Sequence, residues 1–331
     1  MGLNVAANQL DGWVPIRVYW NEKRPFVDWC WIGMCRFTEP FFDHTIDRAL
    51  RLPFSTLFRP QTSIQILEER SAISPGLEPR GFIFHMSRCG STLVSQMLAA
   101  LTSTVVISEA GPVDSLLRMR FTDGSITDAN RIDWLRWLVA ALGQRWCGNE
   151  EHLFIKFDSW TAVELPLIHR AFPSVPWIFL FRDPIEVLVS QLAHRGAHMI
   201  PGAIEPELFE MTIDAVYQMR PEEYCARILA HICNAALEHH RACSGMFISY
   251  NQLPAIVPEV IAPFFALHLS DAEKEIILQP TLRDAKNPDL QFQHDVQSKR
   301  GKATEEIRIA AEKWLAPVYD QLDAVRFKGH P

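Results

Sequence analysis

Residues 81–98, GFIFHMSRCGSTLVSQML, constrain this chain more than any other stretch. Gly81 to Phe84 form a short apolar run, and a polar turn follows on Ser87, Arg88, Cys89 and Gly90. Leu93, Val94, Met97, Leu98 and Leu101 then recur at i, i+1, i+4, i+5 and i+8, one apolar stripe on a helix. The stretch therefore reads as strand, loop, helix. Such a loop aims backbone N–H groups and the positive end of a helix dipole at one point, which is where a phosphate binds. Gly90 allows close approach of the backbone, and Ser91 and Thr92 add hydroxyl donors. Cys89 has two readings: a thiol whose pKa a helix N-terminus lowers, or simply a small side chain in a turn.

The loop is not that of a typical nucleotide triphosphatase, which needs glycine where His85 stands and lysine where Ser91 stands. The cation has moved ahead of the glycine, to Arg88. A second stretch, VPWIFLFRDPIEVLVSQLAH at residues 175–194, contains an apolar run that reads as a buried parallel strand. Arg182, Asp183 and Pro184 break the run and open a helix with proline in its first turn. Arg182 and Ser190 stand eight residues apart.

In these two stretches the chain resembles the sulfotransferases that use 3′-phosphoadenosine 5′-phosphosulfate (PAPS). Their loop runs proline, basic residue, serine, glycine, serine or threonine, threonine; here it stands as Ser87-Arg88-Cys89-Gly90-Ser91-Thr92. The family's arginine and serine that hold the 3′-phosphate match Arg182 and Ser190. The resemblance covers roughly residues 80–325. It implies a three-layer α/β fold, a twisted parallel sheet flanked by helices, with the co-substrate along the carboxyl edges of the strands. The apolar runs, each joined to the next through a helical pattern, give that fold class independently.

The rest of the chain is read around this core. Residues 1–75 are expected to form a β-prone, aromatic-rich extension packed on a sulfotransferase-like domain at 76–331. Trp13, Trp20, Trp29 and Trp31 fall in it, alternation at Val14, Ile16 and Val18 predicts a hairpin or small sheet, and a surface helix near Pro40 accounts for Asp43 and His44. Residues 104–107 are a β-branched strand ending at Glu109, which is thereby placed where an open α/β sheet binds ligands. Residues 111–130 read as polar and irregular, 131–142 as an amphipathic helix, 153–157 as a strand carrying Lys156 and Asp158 at or just beyond its end, and 160–171 as a helix. His194 and His198 follow the Ser190 helix and are candidates to line an acceptor site. Long helices are expected over 205–219 and 221–243, with His239 and His240 supplying charge at a helix C-terminus. A last core strand covers 246–249, and a closing helix 305–322.

The resemblance implies roles. The loop, with Cys89, Gly90, Ser91 and Thr92, would hold the 5′-phosphate, and Arg88, with Lys156, would offset charge on the leaving oxygen. Glu109 would act as general base, with Asp158 as second choice because the family's histidine is missing at that position. Tyr250, in Tyr250-Asn251-Gln252-Leu253, would touch the adenine, and Lys299 and Arg300 would close over the 3′-phosphate. The implied reaction moves a sulfuryl group from PAPS to a hydroxyl or amine, leaving 3′-phosphoadenosine 5′-phosphate (PAP), with no metal required. An ATP- and magnesium-dependent small-molecule kinase and a non-catalytic nucleotide-binding module on the same fold are the alternatives.

Composition narrows the partners. A net charge of −7 argues against a broad nucleic-acid surface, and no apolar run reaches membrane-spanning length. The first residues lack the blocks of a signal peptide, and seven scattered cysteines suggest reduced thiols, so a cytoplasmic location is expected. Cys30 and Cys35 lack a second pair to complete a metal pattern. The acceptor is a hydroxyl-bearing molecule of unspecified size, and a homo-oligomer is compatible with the sequence.

Overall fold

A computed structural model describes residues 5–243, 245–282 and 300–327. Near the start, β1 (Trp13–Asn21) and β2 (Arg24–Trp31) form an antiparallel hairpin, and β3 (Gln61–Ser63) adds to it after two helices, α1 (Phe42–Leu50) and α2 (Pro53–Leu57). Glu22 and Lys23 turn the hairpin with φ of 46° and 63°, the pair of left-handed conformations that a two-residue hairpin needs. Val14, Val18, Val27 and Trp29 are buried, and the Trp29 indole donates to Thr62 Oγ1 at 2.9 Å. The predicted small sheet is thus present, and α3 (Gln65–Ile73) leads from it to the main sheet.

The main sheet has β4 (Pro79–His85), β5 (Thr104–Ser108), β6 (His152–Lys156), β7 (Trp177–Phe181) and β8 (Met246–Ser249), all parallel, in the order β5-β6-β4-β7-β8. These strands are continuous apolar runs because helices cover both faces. The crossovers are α4 (Ser91–Ala99), α5 (Gly111–Arg118), α6 (Asp128–Leu142), α7 (Leu165–Ala171), α8 (Pro184–Ala193), α9 (Ile213–Gln218) and α10 (Pro221–Ala242). From β4 the chain crosses to the edge strand β5, returns through β6 to pair beside β4, and then continues outward on the other side through β7 and β8. The connections leaving β4 and β7 thus run in opposite directions, and a crevice opens at the carboxyl ends beside β4. The fold class is the one expected, and no helix among the described residues is long and apolar enough to cross a membrane.

Four local expectations are corrected. Residues 111–130 are not irregular throughout: Pro112 opens α5, Val113, Leu116 and Leu117 bury one face, and Asp114 pairs with Arg118 one turn on at 3.2 Å. The helix expected over 160–171 is a 3₁₀ turn, Ser159–Glu164, followed by α7, and the one expected over 205–219 is broken by Glu210 at φ 56°. His239 is not a solvated helix-end charge. It is buried, and burial lowers its pKa.

Candidate active site

Backbone geometry makes the loop. After β4, Ser87, Arg88 and Gly90 take φ of 75°, 52° and 86°, turning the chain sharply into the N-terminus of α4. Glycine is needed at 90 for a second reason. A Cβ there would stand 2.6 Å from Leu253 Cδ1 and 3.0 Å from the Tyr250 ring. The segment after β8 therefore lies directly against the loop. Gln191 of α8 donates to Ser87 Oγ at 2.7 Å, and the Arg88 guanidinium donates to the His194 carbonyl at the end of that helix. The loop and α8 are tied together by side chains from both.

Cys89 is fully buried, its thiol donates to the Leu180 carbonyl at 3.2 Å, and burial pushes its pKa up to about 12. The plain reading holds: it is a small side chain in a turn, and only its backbone faces the site. The reactive-thiol reading is wrong because the sulfur points into the sheet.

Across the crevice, Asp183 caps α8 by accepting from the Glu186 N–H at 3.1 Å, with Pro184 in the first turn. Arg182 is buried, donates through Nε to Glu186 Oε2 at 2.7 Å, and stacks on the Tyr250 ring 3.9 Å from its centroid. Tyr250 thus orients Arg182. Arg300 reaches the same corner, pairing with Asp183 at 2.9 Å and Glu186 at 3.3 Å. Lys299 lies outside the described residues. Among the described residues of this segment, Lys302, which the motifs do not single out, lines the cavity.

Glu109 follows β5 with φ 52°, its N–H donating to the Lys156 carbonyl at 2.7 Å. Lys156 Nζ lies 2.5 Å from Glu109 Oε1 and 3.4 Å from Thr92 Oγ1. It is fully buried and is not part of the cavity wall, so it acts on the site from behind, through these two side chains. His85 was read only as a departure from a glycine. Its Nδ1 accepts from the Ser87 N–H at 3.0 Å, which leaves the proton on Nε2, 3.1 Å from the Phe157 carbonyl and 3.4 Å from Glu109. Burial lowers the His85 pKa, and Lys156 lowers it further. For Glu109 burial opposes ionisation, yet Lys156 and then His85 outweigh it and hold the carboxyl well below the usual range.

Glu109 therefore faces the cavity as an anion, with a quarter of its side chain exposed. Asp158 behaves oppositely: burial first, then the charges of Glu109 and Asp114, raise its pKa well above the ordinary value. Asp43 and Asp114 are raised too, chiefly by burial. Buried His198, whose Nε2 is 3.1 Å from Ser159 Oγ, has its pKa pushed down to about 4 by burial.

All these walls enclose one cavity of about 770 Å³. Arg88, Gly90, Ser91, Thr92, Glu109, Asp158, Arg182, Ser190 and Tyr250 line it, so the two motifs, nearly a hundred residues apart in sequence, share one space. His194 and His198 line it as well, and Phe41 and Asp43 bring the region before β4 to its edge. Asp43, expected on a surface helix, stands on the first turn of α1 and lines the cavity instead.

Fold and site together define an α/β protein in which a glycine-bearing strand-to-helix loop with Arg88, buried Arg182 and an acidic wall face one cavity. No family model and no curated protein matches the sequence. Solved structures similar to it include bacterial sulfotransferases. A sulfotransferase domain from the curacin biosynthetic pathway is 16% identical, with 72% of this chain and 98% of that one covered and a TM-score of 0.45. A sulfotransferase from Alicyclobacillus acidocaldarius is 12% identical over 76% and 97% (TM-score 0.43), and one from Mycobacterium avium 13% over 80% and 83% (TM-score 0.42).

Proposed function

We propose that this chain transfers a sulfuryl group from PAPS to a hydroxyl or amine of an acceptor. One observation carries the reading: the phosphate loop and the Arg182–Ser190 pair open on the same cavity. A nucleotide with phosphates at both its 5′ and 3′ positions has a use for both; ATP has none for the second. The loop amides, Ser91 and Thr92 take the 5′-phosphate, Arg182 and Ser190 the 3′-phosphate, and Lys302 adds charge at the rim.

The acceptor oxygen or nitrogen attacks sulfur as the bond from sulfur to the bridging oxygen breaks. That oxygen leaves on the phosphate of PAP, where charge grows and Arg88 offsets it. The acceptor's proton passes to Glu109, which is already ionised and faces the cavity. Lys156 keeps Glu109 and Thr92 in place, and His85 fixes Ser87 from below. Positioning and fixed charge supply most of the rate, as in phosphoryl transfer. Residues 76–331 form the catalytic unit in this reading, with 1–75 an extension that covers the acceptor side through Phe41 and Asp43. All seven cysteines are free thiols, in keeping with a reducing cytoplasm.

Calorimetric titration of PAP, and of ATP with Mg²⁺, against the native chain and Arg182→Ala tests the donor. PAP should bind in preference, and Arg182→Ala should weaken it about 10- to 100-fold, the loss of a charge-assisted contact. Preference for ATP with Mg²⁺, unchanged by the substitution, would replace sulfuryl transfer with the kinase reading.

A further inference from the structure

At the opposite edge of the main sheet lies a cluster that the cavity does not use. His239 and Cys243 stand four residues apart at the end of α10, so the helical period puts them on one face. His169, in the last turn of α7, packs against that face, its ring centroid 5.2 Å from that of His239. One ligand atom from each of the three lies within 4.8 Å of the others, and Cys243 Sγ is 3.0 Å from His169 Nε2. The strand start beneath them is Trp177, 5.7 Å from His239, whereas the cavity is at the other end of β7 beyond Phe181. Five residues of strand, roughly 17 Å, separate the two.

His239 supplies a second observation. It is 8% exposed, and its Nε2 is buried with no hydrogen-bond partner among the described residues. A buried imidazole nitrogen without a partner destabilises the fold. A cation bound between the three side chains removes that cost. The end of α10 also favours positive charge, because its last carbonyls carry the negative end of the helix dipole.

We propose that His169, His239 and Cys243 form a structural zinc site that clamps α7 to α10. Two imidazoles and a thiol are a donor set for zinc, and tetrahedral bonds of about 2.0–2.3 Å place ligand atoms roughly 3.4–3.8 Å apart. The cluster reaches that spacing when its widest separation closes by about 1 Å and the sulfur–nitrogen pair at 3.0 Å opens by roughly 0.5 Å, within rotamer adjustment of three side chains. On binding, the Cys243 thiol gives its proton to solvent and the sulfur–His169 hydrogen bond is replaced by two bonds to the metal. Water fills the fourth position on the open side, where His169 and Cys243 are partly exposed.

The test is titration of the intact protein with zinc chloride against a colorimetric chelator, repeated with cobalt(II) chloride. The native chain should bind one more equivalent of zinc than Cys243→Ser, and its cobalt form should show a thiolate-to-metal charge-transfer band that Cys243→Ser lacks. His169→Gln should weaken zinc about 100-fold. Zinc should raise the melting temperature of the native chain and not that of Cys243→Ser, by mass action on the folded state. PAP titration of Cys243→Ser, which should match the native chain, shows that the variant is folded. Equal zinc stoichiometry in the native chain and Cys243→Ser, or no thiolate band in the native cobalt form, overturns the proposal.

Discussion

Glu109 owes its charge state to neighbours that come from other strands. Burial alone would raise its pKa; Lys156 at 2.5 Å and His85 at 3.4 Å reverse the sign. A carboxyl with a depressed pKa stays ionised as the medium is acidified. Its contribution to stability is present above the unfolded value and is lost only as pH falls through the lower folded value. Glu109→Gln keeps the shape and removes the proton acceptor, so PAP affinity should be retained while turnover falls about 100- to 10,000-fold, measured by single-turnover kinetics. Full turnover would move the base to Asp158. Lys156→Met removes the main cause of the depression. The acid limb of the pH–rate profile should then move upward, and breaking a buried pair should cost on the order of 3 kcal/mol in denaturant unfolding. That Arg88, Arg182 and Ser190 would share one cavity was legible from their offsets in two motifs, and the place of Glu109 from the end of a β-branched strand. His85 and Lys302 were not, since their roles depend on what lies opposite them in space: the Ser87 amide for one, the cavity rim for the other.

Elements were legible where one pattern dominated. The apolar runs of β4 to β8 announce strands buried on both faces, and the 22 residues of α10 hold a stripe long enough to be unmistakable. The eight residues of α5 did not, because polar Asp114, Ser115 and Arg118 interrupt so short a stripe and the helix is fixed by Pro112 at its start and by β1 of the N-terminal hairpin packed against it. The loop between β4 and α4 is legible from its glycine, but the reason for that glycine is partly tertiary. A left-handed backbone at φ 86° would tolerate few other residues, and a methyl group there would force the Leu253 side chain to shift. Gly90→Ala should therefore cost at least about 1 kcal/mol and weaken PAP more than a matched substitution on the solvent face of α4. Equal PAP affinity in Gly90→Ala and the native chain would mean that the backbone there does not touch the phosphate.

Across the whole molecule, the crevice beside β4 gathers charges that would not otherwise be neighbours: cations from β6, β7 and the loop, and carboxylates from α1, α5 and the ends of β5 and β6. Cations and carboxylates in one low-dielectric space split the titration in two directions. Glu109 is held low by its lysine, whereas Asp158 is held high by burial and by the charges of Glu109 and Asp114. The raised group has the opposite linkage. A carboxyl whose folded pKa exceeds its unfolded one stabilises the fold below the unfolded value, and that contribution is lost as pH rises through the folded value. At neutral pH the native fold therefore carries a penalty at Asp158 that Asn, of the same shape and never charged, would not. Asp158→Asn should raise the melting temperature by a few degrees at pH 7, and the gain should shrink as pH is lowered into the ordinary carboxylate range, where the native aspartic acid is protonated in both states. Calorimetric melts of the two chains from pH 4 to 8 measure this directly. A gain that is independent of pH would assign the effect to packing, and a loss at every pH would show that the Asp158 charge is satisfied by a partner in the cavity. A gain at pH 7 that shrinks on acidification, together with turnover that falls in Asp158→Asn, fits a chain that keeps a destabilising carboxyl on the cavity wall for the sake of what binds there.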